Sequence, residues 1–297
     1  MAFISPLVSC IIPTYRRTET LSRAIASAVK QTYPHLEILV VDDNPCGSSF
    51  SATVAQIVDS YASCDRVVKL ITQRKHINGA AARNAGVAAA NGEFIAFLDD
   101  DDEWLERKVE LQVAKLCADP MVGGVTCLYV VKKNGLTVRE CHPYDSNDLQ
   151  FRILLREVSL FTPTFLCRKS LFEAMGGFNE ALERHQDLQL FADFMSHAAI
   201  EPLNEVLVVS HCDSTINAPC FNDLVKIKAK FFEIERPTLR NLGWLRKRRI
   251  YAAHRFELAF VAAKERKWWP MFKCVVPTLF NPIGWHDLRR RMLYRSR

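Results

Sequence analysis

The chain has 297 residues, 49% of them hydrophobic, which is enough apolar material for a packed core and excludes a disordered class. Its ten cysteines are scattered, with no C-x-x-C pair, which excludes a disulfide framework or a zinc site of ordinary spacing, so reduced thiols are expected. The net charge of +6 is uneven: residues 240–297 carry 15 Lys and Arg against 3 Asp and Glu, a net of +12, which leaves −6 on the body.

The start, MAFISPLVSCIIP, has no basic leader and runs straight into a strand, so no signal peptide is expected. No charge-free apolar run reaches 18 residues, so no membrane-spanning helix is expected. LVSCIIP reads as a buried strand, and TETLSRAIASAVKQT as a helix with Leu21, Ile25, Ala28 and Val29 on one face. LEILVV is a second strand, SATVAQIVDSYA a helix, and RVVKLITQ a third strand. GAAARNAGVAAANG reads as a helix stopped at Asn91-Gly92, and EFIAFL as the next strand. EWLERKVELQVAKLCAD is expected to be a helix ending before Pro120. This strand–helix alternation predicts an α/β fold with a largely parallel sheet, whose ligands sit at the carboxyl ends of the strands. Beyond Met121 the pattern mixes. A hairpin is expected around Asn134-Gly135, then a strand, a short helix and a Gly-Gly turn, then a helix from HQDLQLF and a strand from LNEVLVVSH. The expected division is a body of residues 1–218 and a basic, amphipathic, mainly helical C-terminal region of residues 219–297.

Carboxylates collect at the predicted strand ends. Asp42 and Asp43 follow one strand, and Asp99, Asp100, Asp101 and Asp102 follow another. Two unit charges ~4 Å apart repel by roughly 4 kcal/mol at an effective dielectric of 20. One aspartate serves as a helix cap, whereas four in a row call for a cation. A hard divalent ion, Mn²⁺ or Mg²⁺, suits carboxylate oxygens completed by substrate phosphates. In IPTYRR, Tyr15 offers a face on which a base can stack, beside Pro13 and Thr14. VVDDNP offers a carboxylate that can accept the imide N–H of a uracil. NGAAARNAG opens a helix with small residues at Asn78, and its Arg83 can face a phosphate or a carboxylate. Capped turns and a tightly packed Ala-rich helix are the structural alternatives for these stretches.

Together, VSCIIPTYRR, LEILVVDDNP, NGAAARNAG and GEFIAFLDDDDEW resemble glycosyltransferase family 2, over Val8 to about Leu111. The resemblance implies a GT-A fold, Rossmann-like, and places the family's D-x-D motif on Asp99-Asp100-Asp101. It implies that Asp101 binds the metal and that Asp99 contacts the ribose or the ion. It further implies that Tyr15 and Asp43 hold the nucleobase and that Arg83 steadies the donor site. GGFNEALERHQDLQLF looks like a later family segment, which puts Asp187 where the family keeps its catalytic base. VLVVSHCDST is similar to a segment whose His, here His211, lies near the metal and diphosphate. A helix N-cap is the structural alternative for Asp187. The chain departs from the family at Gln189, where a carboxylate is usual. It also lacks the Q-x-x-R-W motif of processive synthases, which makes single-sugar addition the expectation.

The implied function is inverting, metal-dependent transfer of one sugar from a nucleotide-diphosphate sugar, UDP-linked by preference. The acceptor would be a saccharide or lipid-linked glycan, as in bacterial surface polysaccharide or lipopolysaccharide assembly. The basic tail mixes Lys and Arg with Trp268, Trp269 and Trp285, which suits an anionic membrane surface. The expected location is therefore cytoplasmic, peripheral on the inner face of the membrane. A solvated helix face and an oligomer contact are the alternatives for the tail. A sugar nucleotidyltransferase is a second enzyme reading, although IPTYRRTET lacks the glycine-rich loop of that class. A nucleic-acid-binding protein using the tail is a reading of another kind. The acidic body and the absence of any nucleic-acid motif argue against it.

Overall fold

A computed structural model describes residues 5–212 and 219–279. The chain forms two compact units. The first comprises Met1–Ser146, Leu160–Ala181 and His197–Thr215. The second comprises Asn147–Ser159, Leu182–Ser196 and Ile216–Arg297. The C-terminal region expected from residue 219 onward thus shares a unit with two earlier segments, and Asp187 lies in one of them.

Among the described residues, the first unit holds one sheet of nine strands. These are β1 (Val8–Thr14), β2 (Leu36–Asp42), β3 (Val67–Thr72), β4 (Phe94–Phe97) and β5 (Glu103–Trp104), then β6 (Val122–Lys133), β7 (Leu136–Glu140), β8 (Leu166–Arg168) and β9 (Ala199–His211). The order is β3-β2-β1-β4-β8-β6-β9-β5, with β7 paired to β6. The pairs β2–β3, β1–β2 and β1–β4 are parallel, as the alternating pattern predicts. The later half is mixed: β8 runs antiparallel to β4 and β6, β6 and β9 are parallel, and β5 is antiparallel to β9. The hairpin forms as expected, with Asn134 at φ 51° and Gly135 at φ 78° in its turn.

Helices α1 (Leu21–Val29), α2 (Ser49–Asp59), α3 (Gly79–Ala89) and α4 (Lys108–Ala118) join the early strands. β2 is buried throughout and β1 at all but Pro13, which is why both read as continuous apolar runs. α1 turns Leu21, Ala24, Ile25 and Ala28 into the core. α3 lies so close to the sheet that a Cβ on Gly86 would stand 2.4 Å from Ile11 Cγ2 and 2.9 Å from Val41 Cγ2. The register aligns Thr14 with Asp42 and Ile11 with Phe97, so β1, β2 and β4 present their carboxyl ends along one edge.

One boundary differs from expectation. Glu103–Trp104 is a strand, and the helix expected from Glu103 begins at Lys108. Pairing with Val208 and Val209 of β9 takes up this backbone, and the buried Trp104 donates its indole N–H to the Pro163 carbonyl at 2.9 Å. Tertiary pairing here overrides a helical pattern.

Helices α5 (Leu149–Leu154), α7 (Gln186–His197), α8 (Phe221–Ile234), α9 (Arg236–Arg240), α10 (Trp244–Lys264) and α11 (Trp268–Leu279) build the second unit, while α6 (Lys169–Ala174) follows β8 in the first. A buried polar cluster lies inside the second unit. Lys228 Nζ donates to His254 Nδ1 and to Glu257 Oε2, both at 2.9 Å, and His254 Nε2 donates to the Leu154 carbonyl at 3.0 Å. Burial, then the Lys228 charge, holds the His254 imidazole neutral.

α8 turns Leu224, Lys228 and Phe231 inward along one face, whereas large apolar residues stay exposed on α11. Trp268, Trp269, Phe272 and Val276 are all exposed there. α10 instead buries Ile250, Ala253 and Ala262 while exposing Trp244, Leu245 and Phe260. Trp285 lies outside the described residues. Among the described residues, no helix is long and apolar enough to cross a membrane.

Candidate active site

The aspartate tetrad lies between β4 and β5, on the edge where β1 and β2 also end. It does not cap α4, because Arg107 stands at that helix's N-cap position. Burial pushes the Asp100 carboxyl up to about 7, against a hydrogen bond from Thr14 and with repulsion from Asp101 adding to the rise. Asp101 is raised by burial and then by Asp99. Asp102, 2% exposed, is raised well above the carboxylate range by burial and then by Asp99 and Asp101. Its Oδ1 accepts the His211 backbone N–H at 3.2 Å, while Oδ2 is buried with no hydrogen-bond partner.

Three arginines answer this charge. Arg83 pairs with Asp99, and its guanidinium lies 5.4 Å from the centroid of Phe178. Arg17 pairs with Asp101, and Arg23 donates to the Asp101 carbonyl at 2.7 Å. His211 stands by the tetrad through its backbone N–H on Asp102, with its Nε2 3.3 Å from Glu103 Oε2. A divalent cation fits the chemistry of this cluster. Its donors are hard oxygens, the Asp102 Oδ2 has no hydrogen-bond partner, and Asp100, Asp101 and Asp102 are raised by burial and by repulsion from neighbouring aspartates. Among the described residues no three His, Cys, Asp or Glu side chains form a group that could by itself hold a metal ion.

At the carboxyl end of β2 Asp42 and Asp43 part company. Asp42 is fully buried and consumed by the fold: its carboxylate accepts from the Asn44 backbone N–H at 3.0 Å, Asn44 Nδ2 at 2.7 Å and Ser51 Oγ at 2.5 Å. Asp43 is 2% exposed, raised chiefly by burial, and its Oδ1 has no partner. Its Oδ2 lies 2.6 Å from His76 Nδ1, and the His76 ring lies flat on Tyr15, with centroids 3.8 Å apart and an interplanar angle of 6°.

The helix carrying Arg83 is tied to the GGFNE segment. Asn78 caps α3 by accepting from the Ala81 N–H at 3.1 Å, and its Nδ2 donates to the Glu180 carbonyl at 2.8 Å. Asn84 Oδ1 accepts the Phe178 N–H, while its Nδ2 donates to the Phe178 carbonyl and to Glu180 Oε1, each at 2.9 Å. Gly177, at φ 70°, leaves room for this contact, since a Cβ there would stand 2.7 Å from Asn84 Oδ1. Sequence reasoning missed Asn84, Arg17 and His76. The first two lay inside quoted motifs, and His76 sits in a connection without periodicity. Asp187 opens α7 in the second unit. It is the second residue of that helix, not its N-cap, where a carboxylate meets the positive helix end.

The profile of Glycosyl transferase family 2 matches residues 9–176, more than half the chain. This chain belongs to glycosyltransferase family 2. Among its relatives, the UDP-Glc:alpha-D-GlcNAc-diphosphoundecaprenol beta-1,3-glucosyltransferase WfgD of Escherichia coli is 39% identical over 110 residues, 37% of this chain and 41% of that protein. The putative teichuronic acid biosynthesis glycosyltransferase TuaG of Bacillus subtilis is 31% identical over 122 residues, 40% of this chain and 46% of that one. The chain thus spans less than half the length of these two curated relatives. The fold is that of solved glycosyltransferases. S. aureus TarS 1-349 in complex with UDP-GlcNAc superposes with a TM-score of 0.67 at 18% identity, over 90% of this chain and 79% of that one. The mannosyltransferase PcManGT of Pyrobaculum calidifontis, in complex with GDP-Man and Mn2+, gives 0.62 at 16% identity, over 99% and 82%. The family match begins in β1 and ends just past α6, so it takes in the tetrad, Tyr15, Asp43, Arg83 and Asn84, while Asp187 and His211 lie beyond it.

Proposed function

We propose that the chain is an inverting glycosyltransferase. It moves one sugar from a nucleotide-diphosphate sugar, UDP-linked by preference, to a hydroxyl of a saccharide or lipid-linked acceptor in bacterial surface-glycan assembly. The observation that carries this reading is the aspartate tetrad at the strand ends, in which Asp100 and Asp102 are buried, Asp99 and Asp101 are half-buried, and Asp102 Oδ2 has no hydrogen-bond partner. Tyr15 offers the base a flat face, and Asp43 accepts the imide N–H of uracil. Arg83 holds Asp99 in place, with Asn78 and Asn84 fixing its helix. Pro13 and Thr14 shape the turn that carries Tyr15.

Asp101 and Asp99, with His211 in the same cluster, would hold a Mn²⁺ or Mg²⁺ ion, which would supply Lewis-acid stabilisation of the charge on the departing diphosphate. Asp187 takes the proton of the acceptor hydroxyl. The acceptor oxygen bonds to the anomeric carbon as the bond from that carbon to the diphosphate oxygen breaks. The electron pair leaves with the diphosphate, and the configuration inverts. A positioned base of this kind contributes roughly 10²–10⁴-fold.

Support for the donor and setting comes from the relatives' names: WfgD with its UDP-Glc donor and diphosphoundecaprenol acceptor, TuaG with teichuronic acid, and AmsB of Erwinia amylovora with amylovoran. The exposed Trp268, Trp269 and Phe272 beside Lys267 and Lys273 suit an anionic membrane, and hence the cytoplasmic face of a membrane that carries lipid-linked acceptors. The test is a panel of UDP-, dTDP- and GDP-sugars assayed for nucleotide release with and without Mn²⁺. The reading expects release from a UDP-sugar that needs the ion and is lost in Asp101→Asn. Turnover of no nucleotide-sugar, or full turnover under EDTA, contradicts it.

A further inference from the structure

His76 lies on the β3–α3 connection, and neither the motifs nor the reaction gives it a part. Its contacts copy those a base would make. A planar nitrogen heterocycle lies flat on Tyr15 at 3.8 Å, and its ring nitrogen lies 2.6 Å from the Asp43 carboxylate. An imidazole N–H given to Asp43 is the counterpart of a uracil imide N–H. A parallel stack at this distance leaves no room for a second ring on the same face of Tyr15.

The Asp43 carboxylate is built to receive a ligand. It is 2% exposed, yet its Oδ1 has no hydrogen-bond partner, and an unmatched buried oxygen is costly. Asp42 beside it has its oxygens satisfied by Asn44 and Ser51. The His76 side chain is 37% exposed and therefore has a path to solvent that Asp43 lacks.

We propose that His76 is a resident occupant of the nucleobase seat, holding the base's place on Tyr15 and Asp43 and leaving when a nucleotide binds. This rests on the reading of Tyr15 and Asp43 as that seat. Donor affinity is then reduced by the fraction of molecules whose seat is filled. If nine-tenths are filled, removing the occupant tightens binding about tenfold. His76 sets how strongly the chain holds a nucleotide, and it screens ligands by whether they can match a stack plus a charged acceptor.

The test measures UDP binding by calorimetry to the wild type, His76→Ala, Tyr15→Ala and Asp43→Asn, each checked for an unchanged melting temperature. The expected result is tighter binding by about threefold or more in His76→Ala, with clear weakening in Tyr15→Ala and Asp43→Asn. A second readout is the His76 imidazole proton resonance. It should carry the ring-current shift of Tyr15 in the free protein and lose it when UDP binds. Weakening in Tyr15→Ala and Asp43→Asn with unchanged or weaker binding in His76→Ala overturns the inference alone. Unchanged binding in all three variants overturns the seat itself. A His76 resonance that keeps its shift in the UDP complex also overturns the inference.

Discussion

Arg17 crosses from the β1–α1 connection to pair with Asp101, and its guanidinium Nη1 lies 3.6 Å from Asp100 Oδ1. Burial works against the charge on Arg17, yet the tetrad, Asp101 foremost, raises its pKa further. The carboxylate expected to take a divalent ion is therefore already held by a fixed cation. An incoming ion competes with Arg17 for Asp101. Arg17→Gln should bind Mn²⁺ more tightly in the absence of nucleotide, as read by electron paramagnetic resonance of the free ion. Weaker binding would make Arg17 a support of the metal site.

The tetrad also sets a pH dependence. Asp100, Asp101 and Asp102 have folded-state pKa values above the ordinary carboxylate value. Their protonated forms favour the folded chain, a contribution complete below about pH 4 and lost as pH rises through the folded values. For Asp100 that value is about 7. Burial lowers the His185 and His254 values, which acts the other way below about pH 6.5, so the comparison must be against a tetrad variant: without metal, the melting temperature of the wild type relative to Asp102→Asn should fall between about pH 5 and about pH 8. Asp102→Asn should melt higher than the wild type at neutral pH, with the gap narrowing towards about pH 4. A variant that melts lower than the wild type at neutral pH would show that Asp102 is stabilised as an anion.

Lys108 gives the opposite sign. It is fully buried, with Nζ 2.7 Å from Gln112 Oε1 and 4.0 Å from the Trp104 ring centroid, and burial lowers its pKa to about 8. Between about 8 and the ordinary 10.5 the unfolded chain holds a proton that the folded chain does not, so this group adds stability as pH rises. Buried thiols raised by burial act the other way, so the comparison must be against Lys108→Met. Denaturant unfolding should show the stability of the wild type relative to Lys108→Met growing from about pH 8 to about pH 10. A constant difference would mean that Lys108 titrates normally.

Asn84 joins α3 to the GGFNE segment through three hydrogen bonds. Asn84→Ala should cost about 2–4 kcal/mol, from lost bonds plus the unpaired Phe178 backbone groups it leaves. UDP binding should weaken with it, since Arg83 sits one residue before. A loss below about 0.5 kcal/mol would show that solvent replaces these bonds.

The early sheet was legible because β1, β2 and β4 are short apolar runs between turn signals, and the parallel register brings their ends together. The Glu103–Trp104 strand was not, since its pairing with β9 is a contact across more than a hundred residues. Tyr15, Asp43 and Arg83 could be read from their motifs and do meet partners at the strand ends. Asp42 could not be told from Asp43 by sequence, because only the Asn44 and Ser51 contacts show which carboxylate the fold consumes. The cluster of Lys228, His254 and Glu257 was hidden for the same reason: a helical lysine and histidine read as surface residues until the packing is known.

The tail can be tested on vesicles. Arg246 pairs with Asp148 at 3.0 Å and Arg249 with Glu157 at 3.8 Å, so neutralising them disturbs the fold as well as the charge. Replacing Trp268, Trp269 and Phe272 by Ser should reduce co-sedimentation with anionic vesicles at every salt concentration. Neutralising Lys273 should act mainly at low salt, because the Debye length shrinks from ~10 Å at 0.1 M to ~3 Å at 1 M. Equal partitioning of wild type and variants would reject the anchor.

The base has its own signature. Asp187→Asn should leave UDP affinity close to that of the wild type, while sugar transfer slows by ~10²-fold or more. An unchanged rate with a lowered melting temperature would make Asp187 a helix-end group alone.

The measurement that bears most directly on the account is calorimetric binding of UDP to the wild type and to Asp101→Asn, each with Mn²⁺ and with EDTA. The account predicts that Mn²⁺ strengthens UDP binding to the wild type and that Asp101→Asn, folded and no less stable, loses that gain. Equal UDP affinity in all four conditions, or none in any, would contradict it.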